Sequence, residues 1–197
     1  MKANLESAEL TLRLWRRLYE TYTVLKRCED RTFEEHGLTT EQYAVLVSLS
    51  YVGQPARVTD IAQWLERSTN SISMIVDRMV KAGLVKRVRD KVDRRVVYVS
   101  RTSKAESMFR PATLESFENV RKILSPMPDE DKLTLLNLLG EVKYETLKCL
   151  GREVDVEKIR RDELKQSASI KKWMNEYGPS STLRAQRQRG KKRKTGR

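Results

Sequence analysis

Apolar residues along this chain recur at two spacings, and the change from one to the other marks its centre. Over residues 58–65, Val58, Ile61, Ala62 and Leu65 fall at i, i+3, i+4 and i+7, the stripe of a short helix with Thr59 as its expected N-cap. A second stripe, Ile72, Ile75, Val76 and Met79, predicts another helix. Ser68 is its expected N-cap, and Gly83 stands where a left-handed C′ residue is wanted. Residues 84–89 and 96–100 are then rich in β-branched and aromatic side chains, which predicts two strands. The loop joining them, Asp90-Lys91-Val92-Asp93-Arg94-Arg95, is charged and cannot bury itself.

Helix, turn, helix and hairpin is the layout of a winged-helix DNA reader. At 100° per residue the outer face of the second helix carries Asn70, Ser71, Met74, Asp77, Arg78 and Lys81, with Ser68 and Thr69 at its start and Ser73 at its edge. Short hydroxyl and amide side chains followed by cations suit base edges first and phosphates after. The same residues also fit an ordinary solvated face, since Ser, Thr and Asn favour helix starts for capping reasons. The hairpin weighs toward DNA. An arginine held by a neighbouring aspartate at its tip can enter a narrow minor groove, whereas a salt-bridged surface turn accounts for any one of these residues but poorly for the whole arrangement.

The run ARVTDIAQWLERSTNSISMIVDRMVKAGLVKRVRDKVDRRVVYVS resembles the winged helix-turn-helix core of the MarR family of bacterial transcription regulators. Its most specific parts are Gly-Leu-Val-x-Arg and the Asp-Arg-Arg of the wing; upstream, LTTEQYAVL is similar to the family's helix entry. The resemblance covers roughly residues 12–150, and outside the core it rests on helix arrangement. It implies a homodimer with interlocked N- and C-terminal helices, recognition helices in successive major grooves of double-stranded DNA, and wings in the flanking minor grooves. By position, Thr69, Ser71, Ser73 and Met74 would face bases and Arg78 a phosphate or base. Arg95, buttressed by Asp93, would enter the minor groove, with Arg94 a second candidate and Lys91 beside them. The resemblance also implies a small-molecule effector site between the reading modules and the dimer helices, where Trp15, Tyr19, Tyr22 and His36 are the nearest candidates.

The flanking segments read as long helices. From residue 6 to about 31, Leu14, Trp15, Leu18, Tyr19, Tyr22 and Leu25 form one stripe, suited either to packing on other helices or to lining a pocket. After a polar connection, Thr39-Thr40-Glu41-Gln42 offers a Thr-x-x-Gln capping box for a helix with Tyr43, Val45, Leu46 and Leu49, ended by Gly53-Gln54-Pro55. Beyond the hairpin, Ser103-Lys104-Ala105-Glu106 is a second capping box, opening a helix with Met108, Phe109, Leu114, Phe117, Val120 and Leu124 that Pro111 is expected to interrupt and kink. Asp129, Glu130 and Asp131 open the last helix of the module, whose eight apolar positions from Leu133 to Leu150 exceed what one face of a small monomer needs.

Charge sharpens this picture at one end. The 197 residues carry a net +13, but residues 178–197 hold eight Lys or Arg and no acid, leaving 32 cations against 27 acids, or +5, in residues 1–177. A basic tail of this kind is expected to stay disordered until it meets a phosphate backbone. Before it, residues 151–177 form an extension expected to be helical, with Ile170, Trp173, Met174 and Tyr177 as a short stripe. The expected organisation is therefore a domain over 1–150, with a reading core at about 40–101 and dimerisation helices at about 6–31 and 103–150, then the extension and the tail.

Other chemistries find little support. There is one histidine, His36, which excludes a multi-His metal site within one chain, and there is no phosphate-binding glycine loop and no C-x-x-C, so neither an enzyme nor a bound metal or cofactor is expected. No stretch approaches the ~18 apolar residues of a membrane span and no signal peptide opens the chain, which points to the cytoplasm. Cys28 and Cys149 make no disulfide framework. The basic neighbours Lys26 and Arg27 favour a Cys28 thiolate, but its place toward the helix end differs from that of peroxide-sensing relatives. The expected fold is mainly α with a small β-hairpin wing, a winged helix-turn-helix with terminal dimerisation helices. The expected function is sequence-specific DNA binding by a repressor; the competing reading is an architectural nucleic-acid-binding protein acting through charge.

Overall fold

The computed structural model describes residues 2–89 and 97–151, with side chains from residue 6, and single positions between 161 and 174. The wing tip with Lys91, Asp93, Arg94 and Arg95, most of the extension and the whole basic tail lie outside the described residues. Over residues 2–89 and 97–151 the elements run in the order α1 (Lys2–Glu35), α2 (Thr40–Val52), β1 (Ala56–Arg57), α3 (Val58–Trp64), α4 (Thr69–Lys81), β2 (Val85–Arg89), β3 (Val97–Arg101), α5 (Ser103–Leu124) and α6 (Asp129–Cys149). The described chain is thus mainly helical with a small antiparallel sheet, in the strand order β1-β3-β2.

Helix ends show where the pattern along the chain is followed and where tertiary contacts override it. Thr39 and Gln42 form the expected reciprocal box: the Thr39 hydroxyl accepts from the Gln42 N–H and the Gln42 side chain accepts from the Thr39 N–H. Ser68 caps α4 by accepting from Ser71 N–H at 3.2 Å. At its other end Gly83 takes φ +70, while Leu84 N–H bonds Met79 O and Gly83 N–H bonds Val80 O. Leu84 and Met79 are both buried, the apolar contact that accompanies this type of helix end. α1 ends the same way, with Gly37 at φ +70 and Leu38 N–H on Phe33 O.

Four expectations are corrected. The cap of α3 is Arg57 and not Thr59, because Arg57 is held extended in β1 opposite Tyr98 and the helix starts directly after it. The cap of α5 is Thr102 and not Ser103. Its hydroxyl accepts from Ala105 N–H and reaches Gly83 O at 2.7 Å, and Glu106, the expected box partner, instead pairs with Arg101 at 2.9 Å. Pro111 does not interrupt α5, which runs unbroken from Ser103 to Leu124. Phe109 and Ala112, buried on either side of the proline, hold the helix across its missing N–H bond. Finally, α1 continues through the expected polar connection to Glu35, and Phe33 within that stretch belongs to the core.

The core sits in the reading module. Val45, Leu46 and Leu49 of α2, Ile61 of α3, Ile72, Ile75, Val76 and Met79 of α4, Val99 of β3 and Phe109 of α5 are buried together. Phe33 stacks on Tyr43 with ring centroids 3.8 Å apart, and Tyr43 meets Phe109 at 5.4 Å. On the far side of Phe109 lies the buried Arg101 guanidinium, 4.6 Å from the ring centre, donating to Ser50 and Glu106. One column of side chains therefore joins α1, α2, α5 and β3.

The terminal helices behave differently. α6 has no buried residue, and Leu133, Leu136 and Leu138 are more than half exposed. Leu14, Trp15, Tyr19 and Tyr22 of α1 are equally open, so among the described residues that stripe stays largely uncovered. α5 divides between the two regimes: Phe109 and Ala112 are buried in the head, whereas Val120, Ile123 and Leu124 face out.

Burial pushes the Tyr43 phenol up to about 12, with the hydrogen bond to Thr113 acting the other way. The unfolded value is near 10, so Tyr43 contributes stability that is intact below about pH 10 and is lost as pH rises through about 12. Tyr51, also raised by burial, acts in the same direction. The urea midpoint should fall over that window, and Tyr43→Phe should remove much of the fall. Identical pH dependence in the two proteins would contradict the assignment.

Candidate nucleic-acid interface

The outer face of α4 is built by its own burial pattern. With Ile72, Ile75, Val76 and Met79 turned into the core, Thr69, Asn70, Met74, Arg78 and Lys81 stand in solvent, Met74 at 67 % exposure. Ser68 is exposed too, and its use as a cap leaves its hydroxyl proton available. Ser71 and Ser73 are half-buried at the two margins of this face. The helix N-terminus supplies open N–H groups and partial positive charge where the short polar side chains cluster.

Two ion-pair systems flank the face. Asp77 accepts from Arg87 of β2 at 2.7 Å, fixing the wing's first strand to the recognition helix. On the opposite margin Glu41, in the first turn of α2, takes two guanidinium groups. Both Nη atoms of Arg67 approach its Oε1 at 3.3 Å, and Arg78 Nη2 approaches its Oε2 at 3.4 Å. Arg67 lies in the turn between α3 and α4, where Glu66 adopts φ +52. Next to Glu41, Thr40 donates to Asp30 of α1, and Asp30 pairs with Lys26 at 3.0 Å. Those bonds hold the Asp30 carboxyl below its usual range and the Lys26 ammonium above its own. A polar recess of about 350 Å³ lies among Lys26, Asp30, Thr40, Glu41 and Arg78.

None of these partners was legible along the chain. Arg67 and Glu41 are absent from the sequence candidates because nothing local links residue 41 to residues 67 and 78; the capping box announces only that a helix begins there. Lys86, Arg87 and Arg89 of β2 are exposed, Arg87 and Arg89 on one face and Lys86 on the other, in a register running from Val85 opposite Arg101 to Arg89 opposite Val97.

The effector candidates do not converge. Trp15 and Tyr19 touch each other, with centroids 5.8 Å apart, and with Tyr22 they stand exposed on α1. His36 Nε2 meets Glu115 Oε2 at 2.7 Å and ties the end of α1 to α5. A different set lines a groove of about 210 Å³ between α1 and α5: Leu25, Cys28, Glu29, Thr32, Ser116, Asn119, Val120, Ile123 and Leu124. Asn119 donates to Thr32 there, and burial pushes the Glu29 carboxyl up. Cys28 is half-buried in this groove and Cys149 is exposed at the end of α6, both free thiols. Among the described residues, no group of three or more His, Cys, Asp and Glu could hold a metal ion, and no helix is long and apolar enough to cross a membrane.

Comparison with known proteins agrees with this architecture. Residues 36–96 match the model of the MarR family. The chain is 33 % identical over 113 residues to the HTH-type transcriptional regulator MgrA of Staphylococcus aureus, covering 57 % of this chain and 75 % of that protein. It is 29 % identical over 122 residues to the HTH-type transcriptional regulator PecS of Dickeya dadantii, covering 61 % and 74 %. Among solved structures, the organohalide-sensing regulator RdhR-CbdbA1625 superposes in its ligand-free form with a TM-score of 0.63 at 25 % identity, and in its 2,4-dichlorophenol-bound form with 0.62 at 26 %. Both cover 70 % of this chain and 82 % of theirs. All three relatives are transcriptional regulators, MgrA and PecS of the HTH type. With its capped recognition helix, its hairpin and its terminal helices in this order, the chain belongs to the MarR family of winged helix-turn-helix transcriptional regulators.

Proposed function

We propose that the protein is a homodimeric repressor that works in the bacterial cytoplasm, binding a pseudo-palindromic operator and leaving it when a small aromatic effector binds. One observation carries this reading: the closed head presents Thr69, Asn70, Met74, Arg78 and Lys81 on one face, while the helices at its other end leave Trp15, Tyr19, Leu133 and Leu136 uncovered. A monomer has no use for two long helices with open apolar faces, and a two-fold partner would cover them and double the reading face. At the wing, as the family resemblance implies, Arg95 with Asp93 beside it would enter the minor groove next to each half-site, Arg94 is the second candidate for that groove, and Lys91 adds to the DNA-binding set. Thr69, Asn70, Ser71 and Met74 read base edges, Ser73 supports them from the margin, and Arg78 and Lys81 take phosphates. The basic tail adds sequence-independent affinity.

The α1–α5 groove is the better effector candidate, since it is apolar, contains Cys28 and opens toward the uncovered faces of α1 and α5. The relative solved with 2,4-dichlorophenol supports a compact aromatic ligand. Trp15, Tyr19, Tyr22 and His36 lie outside this groove in one chain, and would contribute through dimer closure.

Selection from a random duplex library at near-physiological salt tests the reading. An inverted repeat should emerge with half-sites about 10 bp apart, centre to centre, or a multiple of that. Binding without enrichment that disappears when residues 178–197 are removed would favour the charge-driven architectural reading. Within the selected site, Asn70→Ala should relax preference at one base pair of each half-site by about 1–3 kcal/mol, while Arg95→Ala should weaken binding to that site with the fold intact. Unchanged preference and affinity in both would reject the assigned face and wing.

Sedimentation equilibrium tests the assembly. The intact protein should be a dimer, and Leu136→Glu should shift it to monomer without loss of helicity. A monomeric intact protein would exclude the interlocked arrangement.

A further inference from the structure

We propose that Glu41 restrains the affinity of the reading head: it holds Arg67 and Arg78 back from phosphates, so that seating the recognition helix fully on a site must first break the clamp. The proposal rests on the reading of α4 as the DNA-contacting helix. Glu41 engages two cations at the margin of that face, one guanidinium on each carboxylate oxygen, at 3.3 and 3.4 Å. Its place is set from two directions. The Thr39–Gln42 capping box fixes the first turn of α2, and the bond from Thr40 to Asp30 anchors that turn to α1.

The clamp can exchange. Arg78 is 67 % exposed at its side chain, Arg67 42 % and Glu41 46 %, so the pairs are screened by solvent and weak. A phosphate presented at the right distance competes with such a carboxylate, because both are bidentate acceptors for a guanidinium. On a loosely docked, non-cognate duplex the phosphate lies farther away, so the exchange and the repulsion between carboxylate and backbone are both weaker there. The cost of breaking the clamp therefore falls mainly on the fully docked site, where Glu41 lowers affinity and narrows the margin over non-specific DNA. Asp77, the other acid on this helix face, has its own cation in Arg87 and belongs to the wing.

Glu41→Gln keeps the side-chain shape and removes the charge. It should raise affinity for the selected site a few-fold, raise affinity for non-specific duplex less, and so widen the ratio between them. It should also steepen the salt dependence by about one unit of log K per log salt for each guanidinium released. Glu20→Gln is the control: it removes the same charge from an exposed i,i+4 pair with Arg16 on α1, far along the chain from the reading head. Adding Arg78→Ala to Glu41→Gln should cancel much of the gain, measured as a double-mutant cycle.

An effect no larger than that of Glu20→Gln would overturn the proposal. So would equal weakening on both duplexes, which would make Glu41 a brace that orients Arg78. An intact protein that selects no sequence, or whose binding ignores Arg78→Ala, would overturn the reading of α4 itself. A thermal unfolding curve matching that of the intact protein shows that each variant is folded.

Discussion

The structure hangs on the column Phe33, Tyr43, Phe109 and Arg101. Two aromatic contacts and one cation over a ring connect the end of α1, the start of α2, the first half of α5 and the last residue of the wing's return strand. Burying a guanidinium is costly unless every side of it is met. Here Glu106 accepts from Nη1 and Ser50 from Nη2, the Phe109 ring lies against the guanidinium, and the Gln54 side chain takes the backbone N–H of the same residue. The strand that carries the wing is thereby fixed to the two helices that leave the head.

From that joint the molecule divides by function. Toward one end most apolar side chains are buried, and what remains exposed on α4 is polar or charged apart from Met74 and Val80. Toward the other, α1, the second half of α5 and α6 keep leucines and aromatics in solvent. The α1–α5 groove lies on the side of these open faces, and the recess beneath Glu41 lies between α1 and the recognition helix. α1 thus borders both sites. Any movement of α1 against the head has a short mechanical route to Arg78, through Asp30, Thr40 and Glu41.

Helical and strand periodicities do most of their work locally, and this chain shows how far that extends. Ile72, Ile75, Val76 and Met79 could be assigned to the buried face of α4 because a 3.6-residue period leaves them on one stripe. Ser68, Gly83 and the Thr39–Gln42 box could be placed because capping satisfies N–H groups within a few residues. The resemblance in residues 56–100 rested on the same local features, and the family followed. The C-terminal extension and tail were legible as composition alone.

What the sequence determined by itself is therefore the order of elements, the buried stripe of each helix of the reading head and the polar character of the face opposite. Tertiary structure alone decided the rest. Arg57 displaced one expected cap because strand pairing holds it extended, Thr102 displaced the other because its hydroxyl is fixed between Ala105 N–H and Gly83 O, α5 continued through Pro111 because Phe109 and Ala112 are buried around it, and Phe33 entered the core because α1 ran on past Arg31. Glu41 met Arg67 and Arg78, 26 and 37 residues away, only because α2 packs beside the turn and recognition helix. The physical reason is common to all of these. Hydrogen-bond caps and apolar stripes are satisfied within one or two turns of chain, whereas charge pairs, aromatic stacks and grooves form between segments whose proximity no local pattern records.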